Sequence, residues 1–205
     1  MRSNLLSFGK VESVRSLRET LRREDVGPII RRFFINTLFD STFMLLGIVV
    51  GAAFAADASL GVVLVTMVTS SLALGISTGV SVYEAESLER ERKISELERA
   101  LFRDLNDTTI EKAARSITIL AALINFVTPL FSCAVTISPF VLAALQILEI
   151  NLAAWFSVVL TLSMLFGAGV YLGRLGKKNP WKKGLRMVGF GLIAFIIGFL
   201  LDSLI

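Results

Sequence analysis

The sequence predicts an all-α, polytopic membrane protein: five transmembrane helices with a short cytosolic helical insert between helices 2 and 3. Three observations predict it. The 205-residue chain is 54% hydrophobic with a mean hydropathy of +0.72, oilier than an average soluble domain. Its uncharged stretches are long enough to cross a hydrocarbon core of ~30 Å at ~1.5 Å per residue. Its charge is segregated. Of 21 Lys and Arg, eight precede the first stretch, seven lie between the second and third, and six surround the link between the fourth and fifth. The opposite side receives only Asp57, Glu149 and Asp202. By the positive-inside rule the N-terminus is then cytoplasmic and the C-terminus outside or lumenal. The same placement explains the net charge of +4 as a topology marker, so no nucleic-acid partner is expected.

Taken in order, residues 1–32 form a polar, basic cytoplasmic segment in which Leu5, Leu6, Val11, Val14, Leu17 and Leu21 recur at helix-like intervals. This spacing predicts an amphipathic helix over Val11–Glu24, ended by Gly27-Pro28. The alternative is a solvated arm touching the protein's own cytosolic part. Met1–Asn4 are not followed directly by an apolar run, so no cleavable signal peptide is expected. The membrane helices 1 and 2 fall within residues 33–83: span 1 at 33–56, a turn at Asp57-Ala58-Ser59, and span 2 at Leu60–Tyr83. After Tyr83 the apolar pattern stops, but the residues up to Leu105 contain neither Gly nor Pro and are rich in helix formers. Span 2 is therefore expected to continue as one rod to about Leu105.

Residues 84–115 make up the Glu-rich insert. Asn106-Asp107 breaks the rod, and Thr108-x-x-Glu111 has the form of a capping box that starts the next helix. Residues 116–205 hold helices 3–5. The nearly uncharged run from Ser116 to Gly173 is too long for one span and divides near Glu149-Ile150-Asn151. Span 3 (116–146) carries Pro129 and Pro139 and is expected to be kinked or partly broken. Span 4 covers 152–173, the basic linker RLGKKNPWKK follows, and span 5 covers 184–204.

Within span 1 one ionisable side chain stands out. A carboxylate at membrane depth costs ~2.5–3.5 kcal/mol on insertion scales, so Asp40 marks a function by default. Thr37, Met44 and Gly47 lie at −3, +4 and +7 from it. A hard carboxylate oxygen beside a soft thioether suits a borderline divalent metal such as Fe²⁺ or Mn²⁺. The plainer reading is an acid bonded to a neighbouring hydroxyl or reaching the cytoplasmic boundary. Gly47-x₃-Gly51 and Gly75-x₃-Gly79 permit close helix approach. Span 2 also presents hydroxyls at Ser70, Ser71, Ser77, Thr78 and Ser81. The reading is either packing, or a polar path where spans 1 and 2 meet a second copy.

The rod holds Glu84, Glu86, Glu89, Glu91, Glu96 and Glu98. Glu86 with Arg90 and Glu89 with Lys93 form i,i+4 pairs, and Glu96 lies three residues before Arg99. Glu84, Glu91 and Glu98 recur every seven residues, a stripe able to gather hard cations, although a solvated helix laced by salt bridges is the simpler reading. The absence of His excludes imidazole metal sites. The lone Cys133 excludes an internal disulfide. No P-loop, nucleophile elbow or HExxH motif is present, so no enzyme activity is expected.

These residues together resemble the vacuolar iron transporter family, the Fe²⁺/Mn²⁺ exporters of plant and yeast vacuoles, with this chain similar to a divergent prokaryotic-type member. DSTFMLLGIVVGA resembles the family's first-span motif, with Asp40 on its pore aspartate, although the motif's proline is missing. GISTGVSVYEAESLERE is similar to the second span running into a Glu-rich helix. Pro129, Pro139 and GRLGKKNPWKKGLRMVGFGLIAFIIGFLL match the later spans. The resemblance implies a homodimer with its ion path between the paired spans 1 and 2, metal capture by the insert through Glu89, Glu91 and Glu96, and exchange with protons. Thr78 stands where the family has a pore Met, and Ser70 where it has a Glu; the insert is also shorter.

The expected function is export of Fe²⁺ or Mn²⁺ from the cytoplasm, by proton antiport through a dimer-interface pore, across what would be a prokaryotic plasma membrane. Asp40 would bind metal and proton in turn. Met44 would supply sulfur, while Thr37, Ser70 and Thr78 would replace water. Glu84, Glu89, Glu91, Glu96 and Glu98 would concentrate the cation. The expected partners are a second copy, the bilayer and the metal itself, with no resident cofactor. The alternative function is a non-transporting membrane scaffold of the same family that binds a partner.

Overall fold

The computed structural model describes residues 26–54, 59–102 and 108–204. The amphipathic helix expected over Val11–Glu24, the turn residues Asp57-Ala58 and the break at Asn106-Asp107 lie outside them. The described residues form α1 (Val26–Ala53), α2 (Leu60–Leu101), α3 (Thr109–Ala144), α4 (Ile150–Leu175) and α5 (Pro180–Leu204). All five are long and apolar enough to cross a membrane. No strand occurs among the described residues.

The helix ends have local causes. Pro28 sits in the first turn of α1, where its missing N–H costs nothing. The expected rod is present as one continuous helix of 42 residues. It ends at Leu101 because Phe102 turns left-handed, with φ 49°, which no α-helix can continue. In α3, the Gln146 N–H donates to the Ala143 carbonyl and the Ile147 N–H to that of Leu142. With Gln146 at φ 59°, this is a Schellman close. Lys177, at φ 51°, closes α4 the same way. The last helix begins at Pro180 and not at residue 184. Asn179 Oδ1 accepts from the Trp181 and Lys182 N–H groups at 3.1 and 3.4 Å, and Pro180 supplies a preset first-turn φ.

Span 3 is not broken by its prolines: α3 runs through Pro129 and Pro139. Each proline deprives the carbonyl four residues earlier of its donor. Those carbonyls belong to Asn125 and Val135, and both are bonded by hydroxyls. Thr78 Oγ1 donates to the Asn125 carbonyl at 3.1 Å, and Ser138 Oγ donates to that of Val135 at 2.8 Å. Hydroxyl substitution of this kind is how membrane helices tolerate interior proline.

The chain divides into two compact units. One comprises residues 26–34 and 77–125 of the described chain. The other comprises residues 35–76 and 126–204, and its core gathers Leu45, Leu46, Val49, Met67, Cys133, Phe140 and Val158. Hydroxyls cross between its helices: Ser41 Oγ lies 2.8 Å from Ser132 Oγ, and Ser157 Oγ donates to the Thr136 carbonyl at 2.7 Å. Helices α4 and α5 bring their backbones into close approach at two glycines of α4. A Cβ on Gly173 would lie 2.5 Å from Pro180 Cα, and one on Gly169 would lie 2.8 Å from Gly184 Cα.

Candidate functional site

The sequence places Asp40 mid-helix in α1, and the fold leaves it exposed on the surface of the single chain. Asn36 Nδ2 donates to its Oδ2 at a long 3.5 Å from one helical turn away. Sequence reasoning missed Asn36, although the i,i+4 spacing of two polar groups in an apolar run was the available signal. Gly47 and Gly51 are exposed too, and a Cβ on either would meet nothing within 4 Å. At ~100° per residue, Asn36, Asp40, Gly47 and Gly51 fall within roughly 60° of arc. They form one polar, small-residue stripe.

The other predicted neighbours of Asp40 are placed differently. Thr37 is 3% exposed, so it faces the interior while Asp40 faces out. Met44 is half-buried and packs against the hydrophobic core. Ser70 and Thr78 are half-buried, and the Thr78 hydroxyl serves the Asn125 carbonyl. Ser71 Oγ is buried with no hydrogen-bond partner.

On the rod, Glu84, Glu89, Glu91 and Glu96 are exposed and Glu98 is half-buried. The anticipated pairs form: Arg90 Nη2 meets Glu86 Oε2 at 3.3 Å, and Lys93 Nζ meets Glu89 Oε1 at 3.2 Å. Ser87 Oγ donates to Glu91 Oε1 at 3.5 Å. Among the described residues no three acidic or cysteine side chains come together in a group able to hold a metal. The candidate ligands of one chain are therefore dispersed: one carboxylate on α1, and a row of separate carboxylates along α2.

Two comparisons bear on this arrangement. The family model described as the VIT family matches residues 100–202, half of the chain. An uncharacterized protein of Methanocaldococcus jannaschii is 28% identical over 175 residues, covering 84% of this chain and 88% of the relative. The matched region takes in α3, α4 and almost all of α5, the part that contains both prolines and the glycine-packed hairpin. The chain thus belongs to the VIT family of membrane metal-ion transporters and is an integral, multi-pass membrane protein.

Proposed function

We propose that this protein exports a divalent metal such as Fe²⁺ or Mn²⁺ from the cytoplasm in exchange for protons, along a path between two copies of the chain. The observation that carries this reading is the exposed stripe of Asn36, Asp40, Gly47 and Gly51 on a membrane-spanning helix. A carboxylate facing lipid is costly, whereas one facing a water-filled seam is tolerated. Small residues about two and three turns beyond it allow a second helix to approach and shield that seam.

In this reading Asp40 binds the metal and the proton alternately, because both compete for the same lone pairs. One acid then serves both ions. Met44 offers a soft ligand from the next turn, and the half-buried Ser70 offers a hydroxyl to replace water. Thr37, turned inward, and Thr78, bonded to the Asn125 carbonyl, would join the path only on rearrangement. Glu84, Glu89, Glu91, Glu96 and Glu98 raise the local cation concentration through their summed field. The charge distribution supports a cytoplasmic N-terminus and an outer or lumenal C-terminus in a prokaryotic plasma membrane.

The test is metal uptake into proteoliposomes with an acidic interior, run across several divalent cations. Wild-type protein gives gradient-driven uptake of Fe²⁺ or Mn²⁺, and Asp40→Asn reduces it to the level of empty vesicles. Undiminished uptake by Asp40→Asn removes Asp40 from the mechanism.

The second reading is a non-transporting scaffold that binds a partner. It is favoured by the lack of a three-acid group among the described residues and by the engagement of the Thr78 hydroxyl in helix packing. Purified protein whose unfolding temperature is unchanged by Fe²⁺, Mn²⁺ and Co²⁺ supports this second reading over the first.

A further inference from the structure

A cavity of about 300 Å³ lies between α2 and α3, lined by Tyr83, Ser87, Arg90, Glu91, Arg115 and Thr118, among others. That volume is at the low end of the ~300–1,000 Å³ of small-ligand pockets. Two arginines line it against one acidic residue. Glu86, the other acid at this level, is occupied by Arg90 Nη2. The Arg90 side chain is only 17% exposed, and its Nε is buried with no acceptor. Arg115 has no carboxylate partner among the described residues. A buried guanidinium N–H without an acceptor costs stability until an anion supplies one. These donors disfavour a metal cation and match a phosphate, whose oxygens accept from planar guanidinium forks and hydroxyls.

The level of the cavity identifies the source of that phosphate. The apolar stretch of α2 ends at Tyr83, and the membrane span of α3 begins at Arg115. Both helices thus reach the edge of the hydrocarbon layer at the cavity. Tyr and Arg are the residues that sit at headgroup depth, and basic pockets between membrane helices take anionic headgroups. We infer that this cavity binds the phosphate of an anionic lipid headgroup, held by Arg90 and Arg115 with help from the Tyr83 hydroxyl. Glu91 is solvent-exposed, so its repulsion is screened by water and salt.

The test uses the full chain purified in detergent, with its unfolding temperature followed as lipid is titrated into mixed micelles. Phosphatidylglycerol raises the unfolding temperature of the wild type saturably, and phosphatidylcholine does not. Arg115→Gln shifts half-saturation by phosphatidylglycerol upward about tenfold, the weight of one charge-assisted hydrogen bond. Arg90→Lys keeps the pairing charge for Glu86 while removing the Nε donor, and produces a similar shift from a lipid-free unfolding temperature near the wild type's. Equal stabilisation by phosphatidylcholine, or unchanged half-saturation in both variants, overturns the site. Inorganic phosphate matching the full lipid effect at equal concentration overturns the assignment to a headgroup.

Discussion

The Thr78 hydroxyl donates to the Asn125 carbonyl at 3.1 Å, the carbonyl that Pro129 leaves without a backbone donor. A side chain of α2 thereby completes the backbone of α3. Removing it leaves a carbonyl unsatisfied where water is scarce, at a cost of about 1–2 kcal/mol. Thr78→Val is therefore expected to lower the unfolding temperature in detergent by a few degrees, with Thr78→Ser near wild type. Pro129→Ala restores the missing N–H, so Thr78→Val should cost less in that background. Equal losses in both backgrounds would show that the two residues are not coupled.

The Ser41 and Ser132 hydroxyls lie 2.8 Å apart, and each also reaches a backbone carbonyl of its own helix, Leu38 and Thr128 respectively. Two hydroxyl protons thus serve three contacts. Truncating either serine to Ala leaves the other with a local acceptor, which limits the damage. Double-mutant coupling is expected near the ~0.6 kcal/mol average for membrane helices and below ~1.7 kcal/mol. Denaturant titration of the two single variants and the double variant measures it.

Gly173→Ala would place a methyl 2.5 Å from the Pro180 Cα, a backbone atom that cannot move without opening the α4–α5 hairpin. Overpacking of this kind costs about 1–3 kcal/mol. Gly189→Ala meets nothing within 4 Å and should be neutral or stabilising by up to ~1 kcal/mol through helix propensity. Thermal unfolding of the pair checks the contrast, and similar values for both would contradict the packing.

On the rod, Glu86 is buried beside Arg90, whereas Glu89 and Lys93 are half or more exposed. An exposed i,i+4 pair contributes ~0.3–0.5 kcal/mol at most and weakens with salt. Glu89→Gln should leave the unfolding temperature within a degree. Glu86→Gln should lower it more, because Arg90 then loses its bonded carboxylate, and 0.5 M salt should not erase that difference.

Gly47→Leu fills open space on the single chain, so it should fold normally. If two copies meet along the Asp40 stripe, the same variant should halve the particle mass in light scattering and abolish transport. A dimer of unchanged mass would move the proposed contact elsewhere.

Much of the helical plan could be read from composition alone. Uncharged length marks a membrane span regardless of what surrounds it, and the lack of Gly or Pro after Tyr83 announced the long α2. Boundaries failed where one residue governs: Phe102 ended α2 early, and Asn179-Pro180 started α5 inside an apparent linker. The partial break allowed for in α3 does not occur, because the compensating donors are Ser138, which is local, and Thr78, which is distant in sequence.

The sequence by itself determined that this protein is a five-helix membrane protein and that Asp40 is its anomalous acid, because hydrophobic length and charge cost depend on residue type. Only the tertiary structure decided which way each helix faces. Lipid-facing and core-facing positions are both apolar, so the pattern along α1 carries no phase. Packing alone turned Thr37 inward and left Asp40 on the surface, and packing alone brought Arg90 and Arg115 to one cavity.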